Sequence, residues 1–133
     1  MNKFLGIFFI LLCITARAQL TVMVTTPKIT GQKAVVQLTM KNNLAGKVES
    51  ARAVCFLLDE QGQMIGHSTK WVIGENKTAL DPKAETTFNF VITSPQPFTT
   101  TNLTAKVSFS RVIFENGQIA DVNKTVSITT PTP

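Results

Sequence analysis

The sequence predicts an all-β protein, specifically an immunoglobulin-like β-sandwich of about seven strands preceded by a signal peptide. Apolar residues recur at every second position through most of the chain after residue 19, and Thr and Val are abundant. Turn residues separate these runs, and no run shows helical spacing over a useful length. A small closed barrel is the alternative architecture, but a proline-containing loop that would link two sheets favours the sandwich.

The chain begins with a predicted signal peptide, residues 1–18. Lys3 precedes an apolar run from Phe4 to Ile14, and Ala16-Arg17-Ala18 offers the small side chains that signal peptidase accepts. The run is shorter than the about twenty residues that span a membrane. We therefore expect cleavage before Gln19, export to the periplasm or the medium, and no membrane span after cleavage. An uncleaved anchor or lipidation at Cys13 fits these residues less well.

Residues 19–130 are predicted to form one domain, and residues 131–133 a frayed C-terminal tail. Cleavage would leave 133 − 18 = 115 residues, with 13 − 2 = 11 basic side chains against 8 acidic ones. The basic residues are scattered singly, which argues against nucleic-acid binding. Only Cys55 would remain, so no internal disulfide can form. A cysteine in an apolar run usually behaves as a small buried hydrophobic residue.

The first half of the domain contains three predicted strands. The first covers Leu20 to Thr25. The third, Ala51 to Asp59, is apolar on both faces, which is typical of a central strand covered on both sides or of one that crosses between environments. Between them, a strand that ends at Asn42-Asn43 alternates polar residues with an apolar face formed by Ala34, Val36, Leu38 and Met40.

Turn signals then divide the next segment. Asp59-Glu60-Gln61-Gly62 matches a type I turn, because the Asp side chain can accept a hydrogen bond from the backbone two residues on. The return strand would run from about Gln63 to Ile73 and break at Gly74-Glu75-Asn76. Another turn is predicted at Leu80-Asp81-Pro82-Lys83. It precedes a strand whose apolar phase contains Thr86, Phe88, Phe90 and Ile92.

The last segment begins with an irregular loop from Ser94 to Thr101, whose prolines cannot sit in a central strand. The apolar phase that starts at Leu103 shifts by one residue near Ser110-Arg111, which predicts a β-bulge. Asn116-Gly117 predicts a two-residue type I′ hairpin. The final strand is predicted to contain Ala120, Val122, Val126 and Ile128.

Several of these features together resemble the FxLYD-type immunoglobulin-like domains of exported bacterial proteins. They are Asn42-Asn43, the strand ending in Leu57-Leu58-Asp59, the turn through Gly62, and Leu80-Asp81-Pro82 before a strand. Against the motif that names the family, Leu57 and Asp59 agree, whereas Cys55 replaces Phe and Leu58 replaces Tyr. The resemblance covers about half of the mature chain. It implies the sandwich fold more than an activity, because this architecture hosts many functions.

The chain is poor in catalytic groups. His67 is the only histidine available as a base, and no Gly-x-Ser-x-Gly motif accompanies it. Zinc usually requires three or four ligands, whereas this domain has one His and one Cys. Its eight carboxylates lie mostly at predicted turns, where they are normally solvated. We therefore expect no enzyme activity, no catalytic residues, no metal and no cofactor.

Two aromatic residues are the candidates for contact with a ligand or partner: Trp71, near the end of the return strand, and Phe98, in the proline loop. A core position is the alternative for both. The leading hypothesis is an exported domain that contacts an unknown protein or cell-envelope component as a monomer or weak oligomer. A small carbohydrate-binding module using Trp71 is the alternative. A third hypothesis is assembly by strand addition at an open sheet edge.

Overall fold

The computed structural model describes residues 19–74 and 79–130. The predicted signal peptide, the tail at 131–133, and Glu75 and Asn76 of the predicted strand break lie outside these residues. No helix in the described residues is long and apolar enough to cross a membrane. The elements are β1 (Leu20–Val24), β2 (Lys28–Thr30), β3 (Lys33–Asn42), β4 (Val48–Leu58), β5 (Met64–Ile73), β6 (Glu85–Thr93), β7 (Thr104–Phe114), the single helical turn α1 (Val122–Thr125) and β8 (Val126–Thr129).

The strands form two sheets, which confirms the predicted all-β sandwich. In the five-stranded sheet, β3 pairs with β6 on one side and with β2 and β1 on the other. The last strand, β8, pairs with β1 in parallel at the far edge. In the three-stranded sheet, β4 is central between β5 and β7. The loop between β6 and β7 links the two sheets, as its prolines predicted.

The core lies between the sheets and is built by alternation along each strand. On β3, every second residue from Ala34 to Asn42 is buried. On β4, the buried residues after Val48 are Ala51, Ala53, Cys55 and Leu57. Because successive side chains of a strand point to opposite faces, each sheet contributes one apolar face to the core. The inward alternation predicted for the strand ending at Asn42 is confirmed.

The turn that joins β4 to β5 and the turn that follows β7 share one hydrogen-bond pattern. The Gly62 N–H donates to the Asp59 carbonyl over 3.0 Å, and the Asp59 N–H donates to the Gln63 carbonyl over 2.9 Å. This confirms the predicted turn at Asp59. After β7, the Gly117 N–H donates to the Phe114 carbonyl over 2.8 Å, which encloses the three-residue loop 115–117.

The prediction of a type I′ turn at Asn116-Gly117 is therefore wrong. A type I′ turn needs positive φ at both residues, but here only Gly117 has it, at 84°. A three-residue loop with a left-handed glycine instead leads from β7 to Ile119, which forms a single bridge with Ile113. The turn predicted at Leu80-Asp81-Pro82-Lys83 lies one residue later, since the Ala84 N–H donates to the Asp81 carbonyl over 3.0 Å.

The predicted bulge near Ser110-Arg111 is confirmed, because Arg52 faces Arg111 while Ala53 faces Phe109, so that Ser110 is left without a register partner. The prediction of one final strand from Ala120 to Ile128 is wrong. The Asp121 side chain accepts a hydrogen bond from the Asn123 N–H over 3.2 Å and begins α1. Such a local hydrogen bond competes with strand pairing.

Candidate functional site

The candidate site is the side of the three-stranded sheet that faces away from the core. On β4, the side chains of Val54, Phe56 and Leu58 alternate with the buried ones and are only half-buried. The interpretation of β4 as a strand covered on both sides is therefore wrong. A continuous apolar run is typical of such a strand, but here only one face of the run packs against a second sheet.

Strand register places further residues on this side in cross-strand rows. Directly opposed residues of neighbouring strands project to the same face. We call the following set the outer face: Trp71, Arg52 and Arg111 in the first row; Thr69, Val54 and Ser108 in the second; His67, Phe56 and Lys106 in the third; and Met64, Leu58 and Thr104 in the fourth. In the last three rows, apolar side chains of β4 form a central line, and most of the residues beside this line are polar.

The outer face is positively charged. Arg52, Lys106 and Arg111 are all exposed. The only carboxylate in the sequences of β4, β5 and β7 is Glu49, near the beginning of β4. Across residues 19–74 and 79–130, the one ion pair joins Lys47 Nζ to Asp81 Oδ1 over 3.6 Å, away from these cations. The cations of the outer face are therefore available to an external anion.

Trp71 lies at the edge of this face and is half-buried. The guanidinium carbon of Arg52 lies 6.0 Å from the centroid of the indole ring, within reach of a cation–π interaction. The next two residues, Val72 and Ile73, are buried in the core. Trp71 is therefore a surface residue held in place by an arginine, and it does not fill the interior of the sandwich.

Phe98, the other predicted contact residue, has a different environment. It is half-buried and packs against the core, and its N–H donates to the Gly31 carbonyl in the β2–β3 turn over 3.1 Å. Trp71 lies on the outer face of the three-stranded sheet. The structure therefore does not bring the two candidates together in one site.

His67 and Cys55 lie on opposite faces of the three-stranded sheet. His67 is exposed on the outer face, with its ring centroid 6.4 Å from that of Phe56. Cys55 is fully buried on the inner face, and burial raises the pKa of its thiol to about 11. A protonated, buried thiol is unreactive. No group of three or more potential metal-ligating side chains occurs in the described part of the chain.

The outer face of the five-stranded sheet is chemically different. The side chains of β3 that point away from the core are Lys33, Val35, Gln37, Thr39 and Lys41. On β6 they are opposed mainly by polar residues, including Asn89, Thr87 and Glu85. This face has acidic as well as basic groups, and the two aromatic residues of β6, Phe88 and Phe90, lie opposite core-facing residues of β3 instead. The contrast singles out the outer face of the three-stranded sheet for recognition.

Sequence reasoning identified Trp71 but missed Val54, Phe56 and Leu58, because it interpreted their strand as covered on both sides or as crossing between environments. The sequence of β5 could have revealed the uncovered face of β4. Its apolar and polar residues alternate only weakly, and Thr69, Lys70 and His67 offer little apolar surface. A neighbour this polar is unusual for a strand buried on both faces.

Comparisons with known proteins bear on the fold. No protein-family model matches the chain, and a search of curated proteins found no match. The solved structure of IrmA from Escherichia coli is similar, with a TM-score of 0.57 and 13% identity, over 88% of this chain and 96% of that chain. The putative ApaA protein from Bordetella pertussis has a TM-score of 0.54 and 17% identity, over 80% of this chain and 88% of that chain. Identities this low establish similarity of fold alone, that of a two-sheet β-sandwich.

Proposed function

We propose that this protein is an exported, non-enzymatic immunoglobulin-like domain that acts by contact with a protein or a component of the cell envelope. The observation that supports this function best is the outer face. Val54, Phe56 and Leu58 form a line of half-buried apolar residues along β4. Of the three cations, Arg52 lies at one end of this line, and Lys106 and Arg111 lie beside it on β7. The sequence of the leader, residues 1–18, supports export.

The composition of the outer face suits contact. Burial of apolar surface contributes about 25 cal/mol per Å². Val54, Phe56 and Leu58 still have such surface to bury. Trp and Arg are the residue types that most often dominate binding energy at interfaces, and here Trp71 and Arg52 are neighbours.

The positions of His67 and Cys55 support a non-enzymatic role. A nucleophile and its base must come within hydrogen-bond distance. These two side chains are separated by the sheet itself, one exposed and the other buried.

A pull-down from envelope extract tests the proposed contact. We expect the wild-type chain to retain a specific partner, and Phe56→Ala to lose it, because Phe56 occupies the centre of the outer face. Val91→Ala is the matched control, since Val91 is an exposed apolar residue, 49% accessible, on the other sheet. Recovery of the same proteins and envelope components by all three chains would contradict the proposal.

A small carbohydrate-binding module is the second candidate. It is favoured by the half-exposed indole of Trp71, since aromatic rings with one open side can stack against sugars. Glycan-array binding should then be abolished by Trp71→Ala and retained by Val91→Ala. Array binding that survives the loss of the indole would exclude this candidate.

We also propose that the chain is a relative of the FxLYD-type domains. Leu57, which matches the motif, is buried in the core. Asp59, the other matching residue, accepts hydrogen bonds from the backbone amides of Gln61 and Gln63, at 2.9 and 2.8 Å. A conserved motif of this kind would thus combine a core anchor with the residue that closes the hairpin.

A further inference from the structure

We infer that the outer face binds a polysaccharide chain of acidic sugars, that is, sugars bearing carboxylate or sulfate groups. This inference rests on the proposed contact function and specifies the chemistry of the partner. It is supported by the positions of the cations, by the alternation of charged and uncharged rows, by the pairing of the β4 backbone within the sheet, and by the small size of the face.

The first observation is a pair of like charges. Arg52 and Arg111 are directly opposed on β4 and β7, and both are exposed. Directly opposed like charges destabilise a sheet. Neither arginine is joined to a carboxylate by any ion pair in the described part of the chain. An external anion between the two guanidinium groups would relieve their repulsion and receive charge-assisted hydrogen bonds.

The second observation is a repeat along the strands. The row of Trp71, Arg52 and Arg111 combines an aromatic ring with two cations, and the row of His67, Phe56 and Lys106 combines aromatic rings with one cation. The row between them, with Thr69, Val54 and Ser108, is small and uncharged. Arg52 and Phe56 are four residues apart, which corresponds to about 13 Å along a strand. A chain with successive anionic units fits this spacing better than one isolated ion does.

The third observation concerns the backbone. Both sides of β4 are paired, so its amide and carbonyl groups are engaged within the sheet. Recognition on this face must therefore use side chains, which here are guanidinium, ammonium, hydroxyl and aromatic groups. These groups suit carboxylates, sugar hydroxyls and the apolar faces of sugar rings. A peptide that binds by strand addition would instead pair with an edge strand of this sheet, β5 or β7, and would not lie across the outer face.

The size of the face favours a narrow ligand. It is two strand spacings wide, about 10 Å, and about 20 Å long from Arg52 to Leu58. The twelve residues of the outer face are fewer than the about 20 to 30 residues that each partner contributes to a standard protein interface. The face suits a segment of a few sugar units. Protein partners thus become an alternative outcome of the test.

Titration of the exported chain with four polymers tests the inference. The probes are polygalacturonate, which carries carboxylates; dextran sulfate, which carries sulfates; the neutral glucan pullulan; and poly-glutamate, which is anionic but contains no sugar. We expect binding of at least one acidic polysaccharide, weakening at higher salt, and affinity at least about tenfold lower for pullulan and poly-glutamate. The two acidic probes distinguish carboxylate from sulfate recognition.

Variants locate the binding surface. Arg111→Gln should weaken acidic-polysaccharide binding at least about tenfold. Lys41→Gln, at an exposed cation of the other sheet, should change it by less than about twofold. The denaturant concentration at the unfolding midpoint of Arg111→Gln should equal or exceed that of the wild-type chain, because the substitution removes a like-charge pair. A merely structural role for Arg111 would instead lower that midpoint together with binding.

The inference is overturned if poly-glutamate or pullulan binds as tightly as the acidic polysaccharides, or if Arg111→Gln and Lys41→Gln behave alike. It is also overturned if neither acidic polysaccharide binds. If neither acidic polysaccharide binds, but the wild-type chain retains a partner from envelope extract that Phe56→Ala does not retain, the contact function stands and only the polysaccharide inference fails. If no such partner is retained either, the contact function is refuted as well.

Discussion

Cys55 carries an ionisable thiol, but its side chain packs in the core like that of an apolar residue. Its side chain is fully buried on the inner face of β4, between Ala53 and Leu57 in the alternation. Burial raises the pKa of the thiol from 9.0 to about 11, because the thiolate would lose its hydration in the core. Between these two pKa values, the Cys55 thiol stays protonated in the folded protein but loses its proton in the unfolded chain.

This difference predicts a pH-dependent loss of stability. Since the pKa is higher in the folded state, the contribution is fully present below pH 9 and is lost as the pH rises through about 11. The decline in the free energy of unfolding should total about 2 to 3 kcal/mol. Urea unfolding at several alkaline pH values measures it.

Cys55→Ala is the control for this prediction. The variant should be less stable at neutral pH because it loses buried volume, but it should lack the decline that arises from the thiol. Any alkaline decline shared by both chains comes from other groups. Parallel curves for the two chains would show that the thiol does not contribute.

At the scale of elements, the turn between β4 and β5 and the turn after β7 have the same backbone shape but use different side chains. Each encloses a three-residue loop that ends in a glycine with positive φ, 81° at Gly62 and 84° at Gly117. In the first, Asp59 Oδ1 accepts hydrogen bonds from two backbone amides. In the second, Asn116 Oδ1 accepts one, from the Gln118 N–H over 2.9 Å.

We predict that Asp59→Ala lowers the free energy of unfolding by about 1 to 2 kcal/mol, because two turn amides lose their acceptor. Asp59→Asn retains a side-chain oxygen and should lose less. Asn116→Ala, which removes one acceptor at the other turn, should cost about half as much as Asp59→Ala. Chemical denaturation of the three variants measures these differences. Equal losses for Asp59→Ala and Asp59→Asn would contradict the acceptor role.

At the scale of the whole molecule, Asn42 connects the end of the five-stranded sheet to the chain around β4. Its side-chain amide donates to the Gly46 carbonyl over 3.0 Å and to the Leu80 carbonyl over 2.9 Å. Its Oδ1 accepts from the Leu44 N–H over 2.9 Å. Leu80 in turn forms a bridge with Val48 at the beginning of β4. Asn42 is fully buried, and all of these contacts replace water.

Asn42→Asp should therefore lower the free energy of unfolding by about 3 kcal/mol or more, because a carboxylate would face two carbonyl oxygens in a buried site. Asn43→Asp is the matched control. Asn43 is half-buried, and its amide donates to a side-chain hydroxyl, Thr21 Oγ1, over 3.3 Å. Denaturant unfolding at neutral pH compares the two. If Asn42→Asp lowers the free energy of unfolding no more than Asn43→Asp does, the connecting role of Asn42 is refuted.

Much of the fold could be predicted from local patterns. Period-two alternation located the strand that ends at Asn42 and the strand that ends before Pro95, since each of these strands has one buried face. The bulge at Ser110 was visible as a change of phase. The final strand could not be predicted, because the helical turn that begins after Asp121 and the pairing of β8 with β1 depend on a local hydrogen bond and a distant strand.

The fold class, the number of strands to within one, the turn at Asp59 and the poverty of catalytic groups could all be predicted, because they depend on residue type and local spacing. Which face of β4 is covered depends on the packing of the second sheet, and this packing creates the candidate site. In an apolar run such as Ala53 to Leu58, both sets of alternate residues are apolar, so the sequence does not show which set faces the core. The second sheet packs against one set, and the other set, Val54, Phe56 and Leu58, stays at the surface.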